Sequence, residues 1–368
     1  MKVKRVLKWS AGVIFLALVL WLFIAYWTST NDCDRNAAAP SNPMKAIMNC
    51  EYGVDNLQLR ELEKPTPNDN EVLVRVRAAS INPVDGHMMR GSWLMRPMSG
   101  MRKPKNTRFG TDFSGVVEAV GKDVTSVKPG DEVFGAKNGA VAEYVCVKAE
   151  RAIVMKPNNV SFEQAGSVAV AGLTALQGLR DKGRIQAGQK VLVNGASGGV
   201  GTFAVQIAKA FGAEVSGVCS TRNVDLVKSI GADHVIDYTK EDFTKTDQRY
   251  DMIYDLVGNH SFSERRNILK SNGICVLAGV GGAGLHPGMW GRVLGNFATV
   301  FRSKFTSQKF VFYIATLTKD DLNVLRDLMQ SGKVSPVIDR TYKISETQAA
   351  VRYLEEGHAR GKVVITTD

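Results

Sequence analysis

One stretch, Val191-Leu192-Val193-Asn194-Gly195-Ala196-Ser197-Gly198-Gly199-Val200-Gly201, constrains the fold of this chain more than any other. An apolar run with strand character passes into glycines. The glycines pass without a break into a segment ending at Gly212, in which Val200, Phe203, Ala204, Ile207, Ala208 and Phe211 recur at helical spacing. A turn this tight needs backbone conformations that glycine adopts freely, and it leaves the first amides of the helix unpaired. Such amides, at the positive end of the helix dipole, suit a pyrophosphate. A glycine pattern alone is weak evidence. Here a strand precedes it, a helix follows, and a second strand at 214–220 lies at the right distance, so dinucleotide binding is the reading.

The rest of the chain supports two architectures. Residues 71–80 alternate apolar and polar side chains, and residues 113–121, a Lys128-Pro129-Gly130-Asp131 turn and residues 132–136 continue an all-β pattern, which predicts a small barrel. After about residue 162 strands alternate with helices: a helix at 223–231, strands at 234–238 and 250–258, a polar helix near 261–270 and a strand at 273–279. That alternation predicts a parallel, doubly wound sheet. The expected α/β fold therefore has a barrel domain over 44–166, a cofactor domain over 167–295, and a return to the barrel over 296–368 through a final strand at 362–366.

Residues 1–43 stand apart. Trp9 to Trp27 runs 19 residues without a charge, behind Lys2, Lys4, Arg5 and Lys8. This is the length of a transmembrane helix with aromatic ends, and an uncleaved single-pass anchor is preferred to a signal peptide because Ala37-Ala38-Ala39 lies far downstream. Residues 28–43 read as a linker. The basic flank puts the main domain outside, whereas a nicotinamide cofactor is an intracellular supply, so the membrane side stays open. The net charge of +11 comes from scattered Lys and Arg with no nucleic-acid motif, which leaves a membrane surface or an anionic cofactor as its partner. The five cysteines show no CxxC, and neither a disulfide framework nor a structural metal is expected.

The end of the second cofactor-domain strand chooses between cofactors. NAD sites place an acid there, but this chain has Ser220-Thr221-Arg222-Asn223. Two hydroxyls and a guanidinium suit the 2′-phosphate of NADP, although the same residues could simply cap the next helix.

With these motifs in hand, the chain resembles the medium-chain dehydrogenase/reductase superfamily, in its zinc-independent quinone oxidoreductase-like branch. The resemblance spans 44–368 and rests on INPVD, GTDFSGVVEAVG, VKPGDEVFG, AEYV, LTAL, NGASGGVGTFAVQIAKAFGAEV, GADHVIDY and ARGKVVI. It implies a GroES-like barrel with an inserted Rossmann domain, hydride transfer between NADPH and a small carbonyl, quinone or enone, and often a homodimer. It also implies that Thr174, Asn194, Ser197, Gly198, Gly199 and Val200 line the pyrophosphate and nicotinamide, and that Ser220, Arg222 and Tyr238 hold the adenosine end. Leu256, Val257, Ala278, Gly279 and Val280 would border the cofactor, and Lys362 would lie beside it. For Leu256, Val257 and Val280, plain core packing is an equal reading.

Zinc-containing relatives place a Cys where this chain has Asn82 or Pro83, and Gly-His-Glu where it has Gly110-Thr111-Asp112. Asp85, His87 and Asp112 match no zinc spacing, so no metal is expected. The acidic and basic groups of INPVDGHMMRG then become candidates for the chemistry itself. Asn82 can donate through its amide, Asp85 can orient a neighbour, and His87 can supply a proton near neutral pH. The plain alternatives are turn formation for Asn82 and Asp85, a structural role for His87 and a surface ion pair for Arg90.

Two stretches outside these motifs could act on specificity or docking. One is the basic loop 101–108; the other is Phe297, Phe301 and Phe305 beside Arg302 and Lys304, which suits core packing, a dimer face or lipid headgroups. The leading expectation is an NADPH-dependent reductase. A zinc-free alcohol dehydrogenase and a cofactor-binding membrane protein without turnover are the alternatives.

Overall fold

The computed structural model describes residues 17, 20–34, 39–91, 96–278 and 289–367. The first domain is built on one long strand, β3 (Glu71–Ile81), in which Val72, Val74, Val76, Ala78 and Ala79 are buried. Ahead of it, β1 (Pro43–Asn49) and β2 (Leu57–Glu63) form an antiparallel pair. One edge of β3 carries β4 (Asp112–Val120), followed outward by β5 (Glu132–Ala136) and β7 (Ile153–Met155). Its other edge is shared between β6 (Tyr144–Lys148), along residues 71–75, and β15 (Lys362–Thr366), along residues 78–81. Beyond β15 lies β14 (Ile338–Lys343), its parallel partner. Chain ends far apart in sequence therefore close one barrel-like sheet, as the motif order implied.

Register positions the site. Ile81 pairs with Val363 and Ser80 pairs with Asp112. Where β3 ends, Lys362 of one neighbour and Asp112 of the other therefore flank Asn82. The chain then turns into helix α1 (Pro83–Arg90), with proline at its first position and Asn82 at its cap.

The second domain is a six-stranded parallel sheet in the order β10-β9-β8-β11-β12-β13. The strands are β8 (Lys190–Asn194), β9 (Glu214–Cys219), β10 (His234–Asp237), β11 (Tyr250–Asp255), β12 (Leu269–Ala278) and β13 (Lys309–Tyr313). Counted within the domain this is 3-2-1-4-5-6, with the reversal of strand order between β8 and β11, where open α/β sheets bind ligands. Helix α2 (Ala169–Gln177) and helix α3 (Gly199–Ala210) pack into its core. The sixth strand corrects the expected boundary at 295. Lys309–Tyr313 pairs with Ile274–Ala278 and buries Phe310 and Tyr313, so the chain leaves this domain only after helix α5 (Lys319–Gln330) and re-enters the barrel at β14.

Helix α4 (Met289–Ser303) precedes β13, and Phe297, Phe301 and Phe305 are all exposed, which removes the core-packing reading of that stretch. Helix α6 (Thr347–Glu355) packs against α1.

The expected membrane span at 9–27 falls largely outside the described residues. Residues 20–27 are helical and expose Leu20, Trp21, Phe23, Ile24, Tyr26 and Trp27. Among the described residues no helix is long and apolar enough to cross a membrane. The linker reading needs a second correction. Cys33 and Cys50 form a disulfide with Cα atoms 5.7 Å apart, where the sequence indicated no disulfide framework. Beside it the buried Asn31 donates its amide to the carbonyls of Cys50 (2.8 Å) and Pro104 (3.1 Å), so residues 28–34 are docked on the barrel.

Candidate active site

The β8–α3 turn has the conformation its glycines predict. Gly195 takes φ of 90°, and a Cβ on Gly201 would lie 2.0 Å from the Gly195 carbonyl oxygen, so strand and helix approach too closely for any side chain there. Gly198 caps α3 in extended conformation with no side chain across the helix end. A dinucleotide's pyrophosphate fits this cradle.

The neighbouring predicted residues divide into two groups. Asn194 is buried and works as scaffold: its amide donates to Asp255 (2.9 Å) and Asn259 (3.0 Å), joining β8 to β11 at the switch point. Asp255 also accepts from the amides of Val257 and Gly258 and pairs with the buried Arg265 at 2.7 Å, which fixes the loop carrying the half-buried Leu256 and Val257. Thr174 is likewise turned toward the protein. Its hydroxyl donates to Val170, and its carbonyl accepts from Tyr254 (2.9 Å) and Tyr313. Ala278 is buried in the same core, while Gly279 and Val280 lie outside the described residues.

Gly198, Gly199 and Val200 line a cavity on the open side of the turn, and Ser197 is half-buried next to them. Asn223, not singled out in the sequence, holds Ser197 and Ser220 together by donating to both hydroxyls at 3.0 and 3.2 Å. Arg222 is exposed and reaches across the cleft to donate to the His358 carbonyl at 2.8 Å. Tyr238 is exposed just beyond the end of β10. Asp237, which anchors Thr221, is held down to about 2 by the hydroxyls of Thr221 and Thr239 and by the ammonium of Lys240.

Opposite this turn, the end of β3 gathers a buried polar cluster. Lys362 Nζ donates to Asn82 Oδ1 and lies 3.3 Å from Asp112 Oδ2. Asp112 also accepts from Ser80 Oγ (2.8 Å), Asn82 Nδ2 (3.0 Å) and the Val170 amide (2.9 Å). Asp85 accepts from Thr111 Oγ1 and the Asn82 amide, each at 2.8 Å, and from Asn82 Nδ2 at 3.3 Å. Asn82, Asp112 and Lys362 are all but inaccessible. Burial pushes the Asp85 carboxyl up to about 6, against its hydrogen bonds from Thr111 and Asn82. A Cβ on Gly199 would come within 3.1 Å of Lys362 Cδ, so this cluster sits against the dinucleotide turn. A cavity of about 170 Å³ lies between them, lined by Asn82, Pro83, Gly198, Gly199, Val200 and Lys362.

His87 does not join the cluster. Two residues along a helix turn the side chain by about 200°, so His87 faces away from Asp85. Both of its ring nitrogens are buried without a hydrogen-bond partner, and it lines neither this cavity nor the larger one beside α1. Burial lowers its pKa, against the opposing pull of Glu355. Arg90, on the same helix, pairs with Glu355 of α6, which is the surface-pair reading of that residue.

The donor set does not suit zinc. Among the described residues no three His, Cys, Asp or Glu side chains converge, and the Lys362 ammonium occupies the position between Asn82 and Asp112 that a cation would need.

Known proteins match this arrangement along most of its length. Residues 68–158 match the alcohol dehydrogenase GroES-like domain and residues 230–365 a zinc-binding dehydrogenase domain. The mouse protein named NAD(P)H oxidoreductase RTN4IP1, mitochondrial, is 36% identical over 80% of this chain and 81% of its own length. The 2-methylene-furan-3-one reductase of Solanum lycopersicum is 35% identical over 88% of this chain and 79% of its own. The quinone oxidoreductase structure from Coxiella burnetii superposes with a TM-score of 0.76 at 31% identity, covering 89% of this chain and all of that one. Fold, cleft and relatives together define an oxidoreductase that uses a pyridine nucleotide. The chain belongs to the medium-chain dehydrogenase/reductase superfamily.

Proposed function

We propose that this protein is an NADPH-dependent, zinc-independent reductase of enones, quinones or related carbonyls. The observation that carries the reading is the Lys362–Asn82–Asp112 cluster, buried directly against the Gly198–Gly199 turn.

A bound nicotinamide would supply the hydride. Hydride arriving at an enone or carbonyl builds negative charge on oxygen, and without a metal a preorganised donor must meet it. Lys362 has that place: its stem is packed by the turn, Asp112 balances its charge and Asn82 fixes its direction. Asp85, its carboxyl pushed up to about 6 by burial and hydrogen-bonded to Asn82, holds the proton store. His87 drops out of the chemistry, since it reaches neither cavity.

Arg222, Ser220 and Tyr238 favour a 2′-phosphate, and no acid takes their place at the end of β9. The uncharged run at 9–27 and the apolar side chains exposed at 20–27 support an anchor in a membrane, and the Cys33–Cys50 disulfide favours an oxidising side for the main domain. A homodimer follows from the family resemblance. The test is NADPH consumption by the full chain across enones, quinones and aldehydes. Consumption with enones or quinones is expected. Tight NADPH binding with no turnover on any of them refutes the reductase.

A further inference from the structure

A second cavity, of about 230 Å³, lies on the far side of α1 from His87. Its wall is apolar where α1 presents Val84 and Met88, which are 48% and 44% exposed, and where Phe109 closes it. Asp85 and Thr111 also line the cavity, hydrogen-bonded to each other, and Asp85 is hydrogen-bonded to Asn82 of the reacting cluster. Apolar side chains left open to water at the mouth of a polar site call for an apolar occupant.

Three observations indicate what lies outside that mouth. Pro104 lines the cavity and also accepts the Asn31 amide, so the docked segment 28–34 forms the adjoining surface. Ser29 accepts from the Lys103 amide at 3.3 Å, which fixes the same segment a second time, and the Cys33–Cys50 disulfide fixes it covalently. Immediately before it come the exposed Leu20, Trp21, Phe23, Ile24, Tyr26 and Trp27, at the end of a run of 19 uncharged residues. Finally, the exposed Lys105 and Arg108 line the cavity, and the exposed Arg102 donates its backbone amide to Ser29 Oγ at 3.4 Å. An apolar helix and a basic rim side by side match the acyl and headgroup layers of an anionic bilayer. The clamp at Asn31 and Cys33 is what a flexible linker would not need.

We infer that this cavity opens onto the bilayer and takes the tail of a substrate drawn from the lipid phase, so that the substrate class is a long-chain, membrane-partitioned enone or quinone. The inference rests on the reductase reading and deepens it. Asn31, Cys33 and Cys50 are positioning residues: they hold the mouth at the membrane and touch no reacting atom. Each methylene of a tail lowers its aqueous concentration about fourfold, so an enzyme feeding from water would be starved of such a substrate.

The test uses the full chain in vesicles of phosphatidylcholine and phosphatidylglycerol, with methyl vinyl ketone and tetradecyl vinyl ketone as probes. In one variant a flexible Gly/Ser insert of about 20 residues separates Trp27 from Thr28, which leaves the clamp intact and frees the mouth from the bilayer. A second variant, Asn31→Ala with Cys33→Ser, releases the clamp itself, and its melting temperature shows whether it is folded. Wild type is expected to consume NADPH with both ketones. The insert is expected to slow the long-chain ketone at least about tenfold and leave the short one unchanged, because only the former depends on local concentration. Equal long-chain rates in wild type and insert variant, or a parallel loss on both ketones, overturn the inference. Consumption with neither ketone by the wild type defeats the reductase reading, and this inference with it.

Discussion

Asp85→Asn isolates the one carboxyl whose proton the cluster controls. The folded protein binds that proton with a value of about 6 against the ordinary 3.8, because burial outweighs the hydrogen bonds from Thr111 and Asn82. Between those two values the folded state binds more protons than the unfolded state, so stability falls as pH rises through the interval. At about 1.4 kcal/mol for each tenfold change in proton affinity, the loss totals about 3 kcal/mol. The amide of the variant can accept from the Asn82 amide and donate to Thr111 Oγ1 without ionising. It should therefore match wild type near pH 4 and gain about 3 kcal/mol on it by pH 7, with no further change above.

Urea melts of both proteins from pH 4 to 8 measure this. The difference between them removes the opposing effect of His87, which is present in both. A difference that stays flat with pH would refute the reasoning. So would a variant that loses ground as pH rises, since that would mean the donors around Asp85 favour its ionised form. Turnover of the variant should fall about 10²-fold at pH 7, from loss of a positioned proton.

Three further perturbations follow from the same structure. His87→Leu should keep full turnover and stabilise the fold by about 1–2 kcal/mol at pH 7, because it removes two unpaired buried nitrogens. The gain should grow below pH 6.5, where wild type must charge a buried imidazole whose pKa is lowered; enzyme assays and melts at pH 5.5 and 7.5 check it. Arg222→Ala should weaken NADPH binding about tenfold or more with little effect on NADH, read by fluorescence titration, and equal losses for both would remove the 2′-phosphate assignment. Gly201→Ala, which sets a Cβ 2.0 Å from the Gly195 carbonyl oxygen, should lower both melting temperature and cofactor affinity, and a neutral result would show that the turn can relax.

What the sequence revealed was local. The glycines at 195, 198, 199 and 201 announce a strand–turn–helix because few other residues could make it, and the alternation along β3 announces a barrel strand. Asn82 and Lys362 were legible as family motifs, but not as partners, since their contact joins positions 280 residues apart. Asp112 stood out only as a missing zinc ligand, whereas register on β4 makes it the counter-ion of the cluster. The separation of His87 from the cluster was not legible, because one-dimensional closeness to Asp85 hides a half-turn of helix. β13 was missed because its apolar run, Phe310 to Tyr313, is only four residues long and has no clear period. The Cys33–Cys50 bond was missed because two cysteines 17 residues apart form no framework until the linker is seen to dock.

Lys362 is proposed as the donor that stands where relatives use a metal, and one measurement tests that role most directly: the initial rate of NADPH oxidation with methyl vinyl ketone by wild type and Lys362→Met, alongside NADPH affinity. Loss of one preorganised donor should lower the rate about 10²–10³-fold while NADPH still binds to a folded protein. A variant that turns over like wild type, or a wild type that stays active only with added zinc, would contradict it.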